Sequence, residues 1–348
     1  MRKVALLLVL FLVTNFTFSQ VGIGTETPDD SAILHLESTA LGFLPPRMSS
    51  AQRDAILVTS NSKGLLIYNT DSNTLNIFDG LSWHVISPLP TTPVTNQICD
   101  TASTYAEFLT CIQTNYTPDQ TLGYNDARDI LYGVVDVNPS TQELKGIYSD
   151  YTILMDYSTD ADASSHAFNL DINAEHVYPQ SMGASNEPAR SDMFNLFPSR
   201  VAVNSDRGSC VFNDIEDSDT ESWYYLTQEL STIPGSNIDF YSEIDEDGTY
   251  PLLVTGQQCT IEPRESKKGD IARVVFYFYA IYNATNINSY TSYANDDFFN
   301  YMKTTLLTWH INDPVDQIEI DRNTAIQSYQ GNSNPFVLDT TLAGRMFN

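Results

Sequence analysis

Residues Asn173 to Cys210 read NAEHVYPQSMGASNEPARSDMFNLFPSRVAVNSDRGSC. Glu175 and His176 are adjacent, Asn204 follows in VNSDRG, and Arg190, Arg200 and Arg207 lie along the same stretch. These residue types suit hydrolysis of a phosphodiester. A histidine can deprotonate water near neutral pH. Hard oxygen ligands such as Glu and Asn suit a divalent metal, which stabilises charge on phosphate. Arginine holds phosphate through paired N–H donors. On extended backbone the side chains of Glu175 and His176 would point to opposite faces, so one could bind metal while the other addresses water beside it. A Glu-His dipeptide alone is common on ordinary surfaces and does not carry the assignment.

Three separated motifs in order carry it further. They are Asn173-Ala174-Glu175-His176-Val177-Tyr178-Pro179-Gln180-Ser181, then Ser191-Asp192-Met193-Phe194-Asn195-Leu196-Phe197-Pro198, then Val203-Asn204-Ser205-Asp206-Arg207-Gly208. This stretch resembles the bacterial endonuclease I family of secreted nucleases, within the His-Me finger (ββα-metal) superfamily. The family pattern is N-x-E-H-x-x-P-x-S, S-D-x-H-x-L-x-P and V-N-x-x-R-G. The likeness extends through IEPRESKKGDIARVVFYFYAIY (261–282) and LTWHINDPVDQIEIDRNTAIQSYQGNSNPFVLD (307–339), and covers about residues 98–345. The resemblance implies an α+β fold, a ββα metal-site core within a largely helical domain. It implies His176 as general base, with Arg207 beside it in the catalytic set. Glu175 and Asn204 would hold one Mg²⁺, with Mn²⁺ or Ca²⁺ as possible substitutes. Arg190, Arg200, Asn195 and Arg264 are candidate substrate-binding residues, Arg264 and Arg273 being equally open to structural ion pairing. Products would carry 5′-phosphate. A neutral His176 is required, so activity is expected to fall as pH drops through its pKa.

One position departs from the pattern. Phe194 stands where the family has histidine, and Phe neither donates, accepts nor ligates. That departure, together with the acidic surface and the fibre-like N-terminal module, motivates an alternative: a catalytically inactive surface binding protein that keeps the nuclease fold. A phosphodiesterase of small substrates would use the same site. The other histidines are read as ordinary. His166 is expected in a solvated acidic loop, and His310 as a cap or packing residue at a helix end. His35 and His84 fall outside the nuclease-like region. Asp245-Glu246-Asp247-Gly248 lacks full EF-hand spacing and reads as a solvated turn.

Upstream, residues 21–86 have a separate character. Leu65–Tyr68, a turn at Asn69–Asn73, Leu75–Phe78, a turn at Asp79-Gly80 and Trp83–Ile86 spell β-hairpins. Met48–Ala55 is a short helix candidate capped by Ser49 or Ser50. VGIGTETP, GFLPPRMSSAQRDAI and GLLIYNTDSNTLNIFDGLSW resemble a short repeat of secreted Bacteroidetes proteins and tail-fibre-like phage chains, which implies surface tethering or oligomerisation and no catalysis. Residues 1–19, with Arg2-Lys3, the apolar run Val4–Val13 and small residues before Gln20, read as a secretory signal too short to span a bilayer. The domain plan is therefore signal 1–19, β-rich accessory module 20–86, Pro/Thr-rich linker 87–97 and nuclease-like domain 98–348. The mature form is expected outside the cell, with no membrane span.

Within the last domain, Tyr105, Phe108, Leu109 and Ile112 lie at helical spacing, as do Phe298, Met302, Leu306 and Trp309. Asp126–Val134 is another helix candidate, and Arg273–Tyr282 is a buried helix or strand. Export permits disulfides among Cys99, Cys111, Cys210 and Cys259. Three pairings are possible and the sequence does not choose; the favoured set is Cys210 with Cys259 and Cys99 with Cys111. The second pair requires the chain to double back, since an uninterrupted helix would hold those residues too far apart. No CxxC pair marks a zinc site. Hydrophobic content of 42% and aromatic content of 11% exclude a disordered chain. The formal net charge is −27, and residues 98–348 hold 12 Lys+Arg against 37 Asp+Glu, a net −25. That excludes broad electrostatic capture of nucleic acid. It leaves room for a metal and a few local arginines at one phosphate, with long-range repulsion screened beyond ~8 Å at physiological salt. The reading is a secreted, Mg-dependent, nonspecific endonuclease of DNA, RNA or both.

Overall fold

The computed structural model describes residues 21–25, 33–36, 38, 40, 42–71, 74–78, 80, 82–86, 97–156, 160–247, 259–282 and 295–348. The expected signal (1–19), the linker apart from Gln97, Asp79 and Gly248 lie outside them. The chain divides into two compact units, residues 1–93 and 94–348.

In the first unit β1 (Val21–Ile23) pairs in parallel with β2 (Leu34–Leu36). Strand β3 (Arg47–Met48) leads into helix α1 (Ser50–Asp54), whose start is held by Ser49 and Gln52 in a reciprocal capping box. Strands β4 (Leu66–Asn69), β5 (Thr74–Phe78) and β6 (Trp83–Ile86) are antiparallel neighbours, and β3 joins β4 in parallel to give the order β3-β4-β5-β6. Among the described residues this unit fully buries only two apolar side chains, Ile67 and Phe78. It leaves Val21, Ile23, Ile33, Phe43, Leu44 and Leu57 exposed.

The second unit is mixed α/β: among its described residues, most of those in regular elements lie in helices, and the strands are short. Helix α2 (Tyr105–Tyr116) begins at a Thr104–Glu107 capping box and buries Phe108 and Ile112. Cys99 has φ 55 and its carbonyl accepts from Ala102 N. The chain thus turns back before the helix starts, which brings Cys99 to 5.9 Å from Cys111 (Cα–Cα) in a disulfide. Helix α3 (Tyr124–Ile130) runs on into a π turn at Leu131–Val135. A hairpin of β7 (Glu143–Lys145) and β8 (Thr152–Leu154) and helix α4 (Ala163–Asn169) precede the antiparallel pair β9 (Ile172–His176) and β10 (Leu196–Arg200), which helix α5 (Val201–Arg207) follows directly.

Strands β11 (Val211–Phe212), β12 (Ser222–Tyr225), β13 (Gln228–Leu230), β14 (Ser242–Asp245) and β15 (Thr260–Glu262) form an open sheet, order β11-β15-β14-β12-β13. The Cys210–Cys259 disulfide sits where β11 and β15 start side by side in parallel. Helix α6 (Lys268–Tyr282) is buried on all sides, as a helix without a polar face must be. Around it pack α2, α7 (Asn295–Asn312) and the short α9 (Pro335–Leu338), with α8 (Gln317–Gln330) and α10 (Leu342–Phe347) completing the C-terminal layer. Arg273, fully buried in α6, is satisfied by Glu319 Oε1 at 2.8 Å and by the carbonyl of Asp313 at 2.8 Å, so it is structural. No helix among the described residues is long and apolar enough to cross a membrane.

The open sheet holds a charge conflict. Glu243 on β14 stands opposite Glu262 on β15. Lys268 neutralises Glu262 at 2.6 Å, while among the described residues Glu243 receives only the Thr220 hydroxyl at 2.5 Å. Burial first, then Glu262 and Asp217, push the Glu243 carboxyl up from 4.5 to about 8. The folded chain therefore keeps a proton that the unfolded chain releases, and stability falls as pH rises from the ordinary carboxyl value towards about 8. Glu243→Gln cannot ionise. Thermal melts of the variant and wild type are expected to agree near pH 5 and to separate by about pH 8, the variant melting higher. Parallel melting curves across that range would refute the burial argument.

Candidate active site

The β9–β10 pair and α5 gather the motif residues. The register sets Leu196 opposite His176, Phe197 opposite Glu175 and Arg200 opposite Ile172. Strand alternation turns Glu175 and Asn173 to one face and His176 to the other. Asn204 comes from α5: its Nδ2 donates to Asn173 Oδ1 at 2.6 Å and to the Ala174 carbonyl at 3.2 Å. A carbonyl only accepts, so the amide orientation is determined, and Oδ1 of Asn204 is left as the oxygen for another partner.

Glu175 is buried, and Tyr148 donates to its Oε1 at 2.6 Å. Burial raises its pKa, while Arg207 and the Tyr148 hydroxyl pull it back. Arg207 is fully buried. Its Nε lies 3.0 Å from Glu175 Oε1 as a charge contact rather than an aligned hydrogen bond, and its other nitrogens donate to the carbonyls of Val177 (2.6 Å) and Gly208 (2.8 Å). The guanidinium is used up internally. The expectation of Arg207 as a catalytic, phosphate-facing group is corrected: it positions Glu175.

His176 has 5% exposure, which makes its environment decisive. Its Nε2 lies 2.9 Å from the Arg190 carbonyl. A carbonyl cannot donate, so Nε2 carries the proton and Nδ1 the lone pair, which Gln180 Nε2 approaches at 3.3 Å. Burial first, with the positive fields of Arg190, Arg207 and Arg128, brings the imidazole pKa down from 6.5 to about 4 against the opposing pull of the Arg190 carbonyl, so the ring is neutral at neutral pH. Tyr124 stacks on it, centroids 5.5 Å apart at 20°.

Asn195 is also corrected. It is fully buried, its Oδ1 accepts from Tyr178 N (2.7 Å) and its Nδ2 donates to Tyr178 O (3.0 Å). The side chain acts as a strand-like clamp on the loop after His176 and is not placed to bind substrate. Phe194 lies in the core, edge-on to Tyr277 at 5.0 Å. Buried Asp192 holds that segment by accepting from Tyr277 (2.7 Å), Tyr282 (2.8 Å) and Gln330 (3.0 Å).

Of the arginines, Arg190 is exposed and rests over the Tyr124 ring at 4.7 Å. Arg200 pairs with Asp171 at 3.1 Å, four register steps and so ~13 Å along the ladder from His176. Arg264 pairs with Asp150 at 3.0 Å and the Ile147 carbonyl at 3.2 Å. Both substrate-binding expectations are corrected, because these cations are already committed to structural partners. His166 is corrected too: it is buried in α4 between Asp160 (2.6 Å) and the Leu154 carbonyl (2.9 Å). His310 is a packing residue, bound to the Thr340 carbonyl at 2.8 Å. Asp245 and Asp247 converge with Glu221, each offering an oxygen within 4.8 Å of the others, and could hold a divalent cation. Sequence reasoning missed Tyr148, Gln180, Tyr124 and Arg128. Gln180 follows His176 at i+4 and was legible; Tyr124 and Arg128 show only their own i, i+4 spacing, far from the motif.

Residues 104–341 match the family model described as Endonuclease I. The chain belongs to that family. Residues 22–101 match a model described as a phage tail like trimerisation region. Among curated proteins, the endonuclease I chain is similar to an extracellular ribonuclease of Bacillus subtilis (strain 168), 31% identical over 177 residues, covering 48% of this chain and 51% of the relative. It is also similar to an extracellular ribonuclease of Bacillus amyloliquefaciens, 30% identical over 176 residues, covering 48% and 50%. The chain thus spans about half the length of the curated relatives it matches. This endonuclease I member has a nuclease-like domain of mixed α/β structure with open sheets and two disulfides.

Arg207→Ala would leave Glu175 buried without its counter-charge and two carbonyls without donors. Urea unfolding is expected to show a loss of about 3–5 kcal/mol, and Arg207→Lys to recover little of it, since one ammonium does not reproduce the planar fork. A loss under about 1 kcal/mol would remove Arg207 from this role.

Proposed function

We propose that this endonuclease I member is a secreted, metal-dependent, nonspecific endonuclease with a His-Me finger site, hydrolysing RNA, DNA or both to 5′-phosphate products. The observation that carries the reading is the neutral, Nε2-protonated imidazole of His176, whose Nδ1 lone pair meets the Gln180 amide at 3.3 Å, a contact an attacking water would replace, on the same strand as Glu175. The donor set fits a hard divalent ion such as Mg²⁺: a buried carboxylate and an amide oxygen whose NH₂ is committed elsewhere. With Glu175 and Asn204 holding such an ion, positive charge would be supplied at the scissile phosphate and the departing oxygen.

The chain's own part is proton handling and orientation. Nδ1 of His176 takes the proton of the attacking water as the new bond to phosphorus forms and the bond to the 3′ oxygen breaks; the phosphate stays on the 5′ side. The Arg190 carbonyl keeps the imidazole in the correct tautomer and orientation. Arg190, exposed and free of a carboxylate partner among the described residues, would hold the phosphate. Two relatives named extracellular ribonucleases support RNA as substrate and an extracellular setting. The inactive-protein alternative rests on Phe194, the acidic surface and the fibre-like N-terminal module; Phe194 packs in the core against Tyr277, and a cleavage assay separates the two readings.

Cleavage of supercoiled plasmid and of RNA by the mature protein tests the reading. Loss of one or both substrates with Mg²⁺, abolished by EDTA and by His176→Ala in a folded variant, is expected. Intact substrates with folded wild type across metals, pH and salt would sink it and favour the binding alternative.

The N-terminal unit is proposed to self-associate. Its match to a trimerisation region and its apolar side chains left in solvent support this. Sedimentation of the mature protein is expected to give a trimer, weakened by Phe43→Ser with Leu44→Ser. A concentration-independent monomer would contradict the idea.

A further inference from the structure

The distribution of cations in this acidic chain singles out one place. Of the twelve Lys and Arg from residue 98 onward, nine lie within 4.0 Å of a carboxylate. With described carboxylates, Arg128, Arg190 and Lys303 make no such pair. Two of these three meet over one ring. Cζ of Arg128 stands 4.4 Å from the Tyr124 centroid and Cζ of Arg190 stands 4.7 Å from it, so the two guanidiniums are at most about 9 Å apart. The same ring stacks on His176. The fields of Arg128 and Arg190 both reach the imidazole, and Arg128 also feels Asp162 without pairing to it.

Helix α3 builds this arrangement. Tyr124 and Arg128 are one turn apart, and Arg128 is steadied by Asn125 Oδ1 at 2.7 Å and by the Tyr124 carbonyl at 3.3 Å. The ring supports the guanidinium by cation–π attraction without neutralising it, which a carboxylate would do. The fork is therefore left charged, held and half-exposed beside the base. A single scissile phosphate needs one such fork, and Arg190 supplies it. A second within reach, where nine of the other ten Lys and Arg from residue 98 onward pair with carboxylates, calls for a second anion.

Resting on the proposed nuclease activity, we propose that Arg128, held on Tyr124, binds the neighbouring phosphate of a polynucleotide strand while Arg190 holds the one being cut. This subsite selects polymer over an isolated phosphodiester. It would also offset locally the repulsion that the chain's net −27 exerts on nucleic acid.

The test uses the mature protein and two kinds of probe. Binding of a fluorescein-labelled oligothymidylate is followed by anisotropy in EDTA across a salt series. Cleavage is measured with Mg²⁺ on the same oligonucleotide and on thymidine 5′-p-nitrophenyl phosphate, which carries one phosphate. For Arg128→Ala the slope of log affinity against log salt is expected to shrink by about 0.7, one phosphate contact on a single strand. KM for the oligonucleotide should rise roughly tenfold, as for one charge-assisted hydrogen bond, while KM for the small diester stays as in wild type, any change in kcat through the base being shared by both substrates. Lys145→Ala, which removes an exposed cation elsewhere, should leave the slope and both KM values as in wild type. Arg128→Gln keeps the side chain's length without its charge and gives the same reading should the alanine variant not fold. Wild-type slope and KM in a folded Arg128 variant, or an equal rise in KM on both substrates, would overturn the subsite. Wild type that cleaves neither probe, nor the corresponding oligouridylate and uridine 5′-p-nitrophenyl phosphate, would instead overturn the nuclease reading beneath it; where only the uridine probes are cleaved, the same comparison is made on them.

Discussion

A guanidinium with no access to water must have its charge and its donors met from inside, and Arg207 is in that position. What meets them is the end of β9 and the end of α5: the Glu175 carboxylate, the Val177 carbonyl and the Gly208 carbonyl. One side chain thus ties the strand carrying the Glu-His pair to the helix carrying Asn204. If the helix slid along the strand, Arg207 would lose Glu175 and the Val177 carbonyl, and Asn204 would lose Asn173 and Ala174. The cost of a buried unpaired charge therefore enforces the spacing between Glu175 and Asn204. Immediately beyond, the Cys210–Cys259 bridge joins the exit of this unit to the open sheet.

The loop between β9 and β10 is governed by the same demand for internal satisfaction. Asn195 replaces a missing strand neighbour by pairing both ends of its amide with the Tyr178 backbone. Asp192 gathers two tyrosine hydroxyls and the Gln330 amide in the core. With both anchored, the short 3₁₀ turn at Ala189–Ser191 places the Arg190 carbonyl on His176 Nε2. Burial of motif residues that look like ligands is how the few working atoms are held still.

What the sequence disclosed follows from which physical signals are local. Helical spacing exposed α2 and α7, turn chemistry exposed the hairpin of β4 and β5, and the ordered motifs brought Glu175, His176 and Asn204 into one neighbourhood. The strands of the open sheet, two to four residues each, are too short to show a period, so that sheet was not anticipated. The arginines were the larger failure. Arg190, Arg200, Arg207 and Arg264 look alike in sequence, and their roles divide on burial and on carboxylates distant in the chain, such as Asp171 for Arg200 and Asp150 for Arg264. Asn195 was misread for the same reason, since its partner is backbone. Tyr124 and Arg128 reach His176 across some fifty residues of sequence, a proximity no local pattern records.

Strong acidity and an anionic substrate are compatible when charge is managed pair by pair. Most basic side chains of the second unit are spent on carboxylates, so they contribute cohesion and almost no long-range field. The imidazole, buried and set among three guanidinium fields, is held neutral. Burial does most to keep this base neutral, and the guanidinium fields add to it. The same guanidiniums would present positive charge to an approaching anion. An acidic exterior can therefore accompany cationic groups at the base, because Arg128 and Arg190 rest on the Tyr124 ring with no described carboxylate partner, while Arg207 is spent on Glu175.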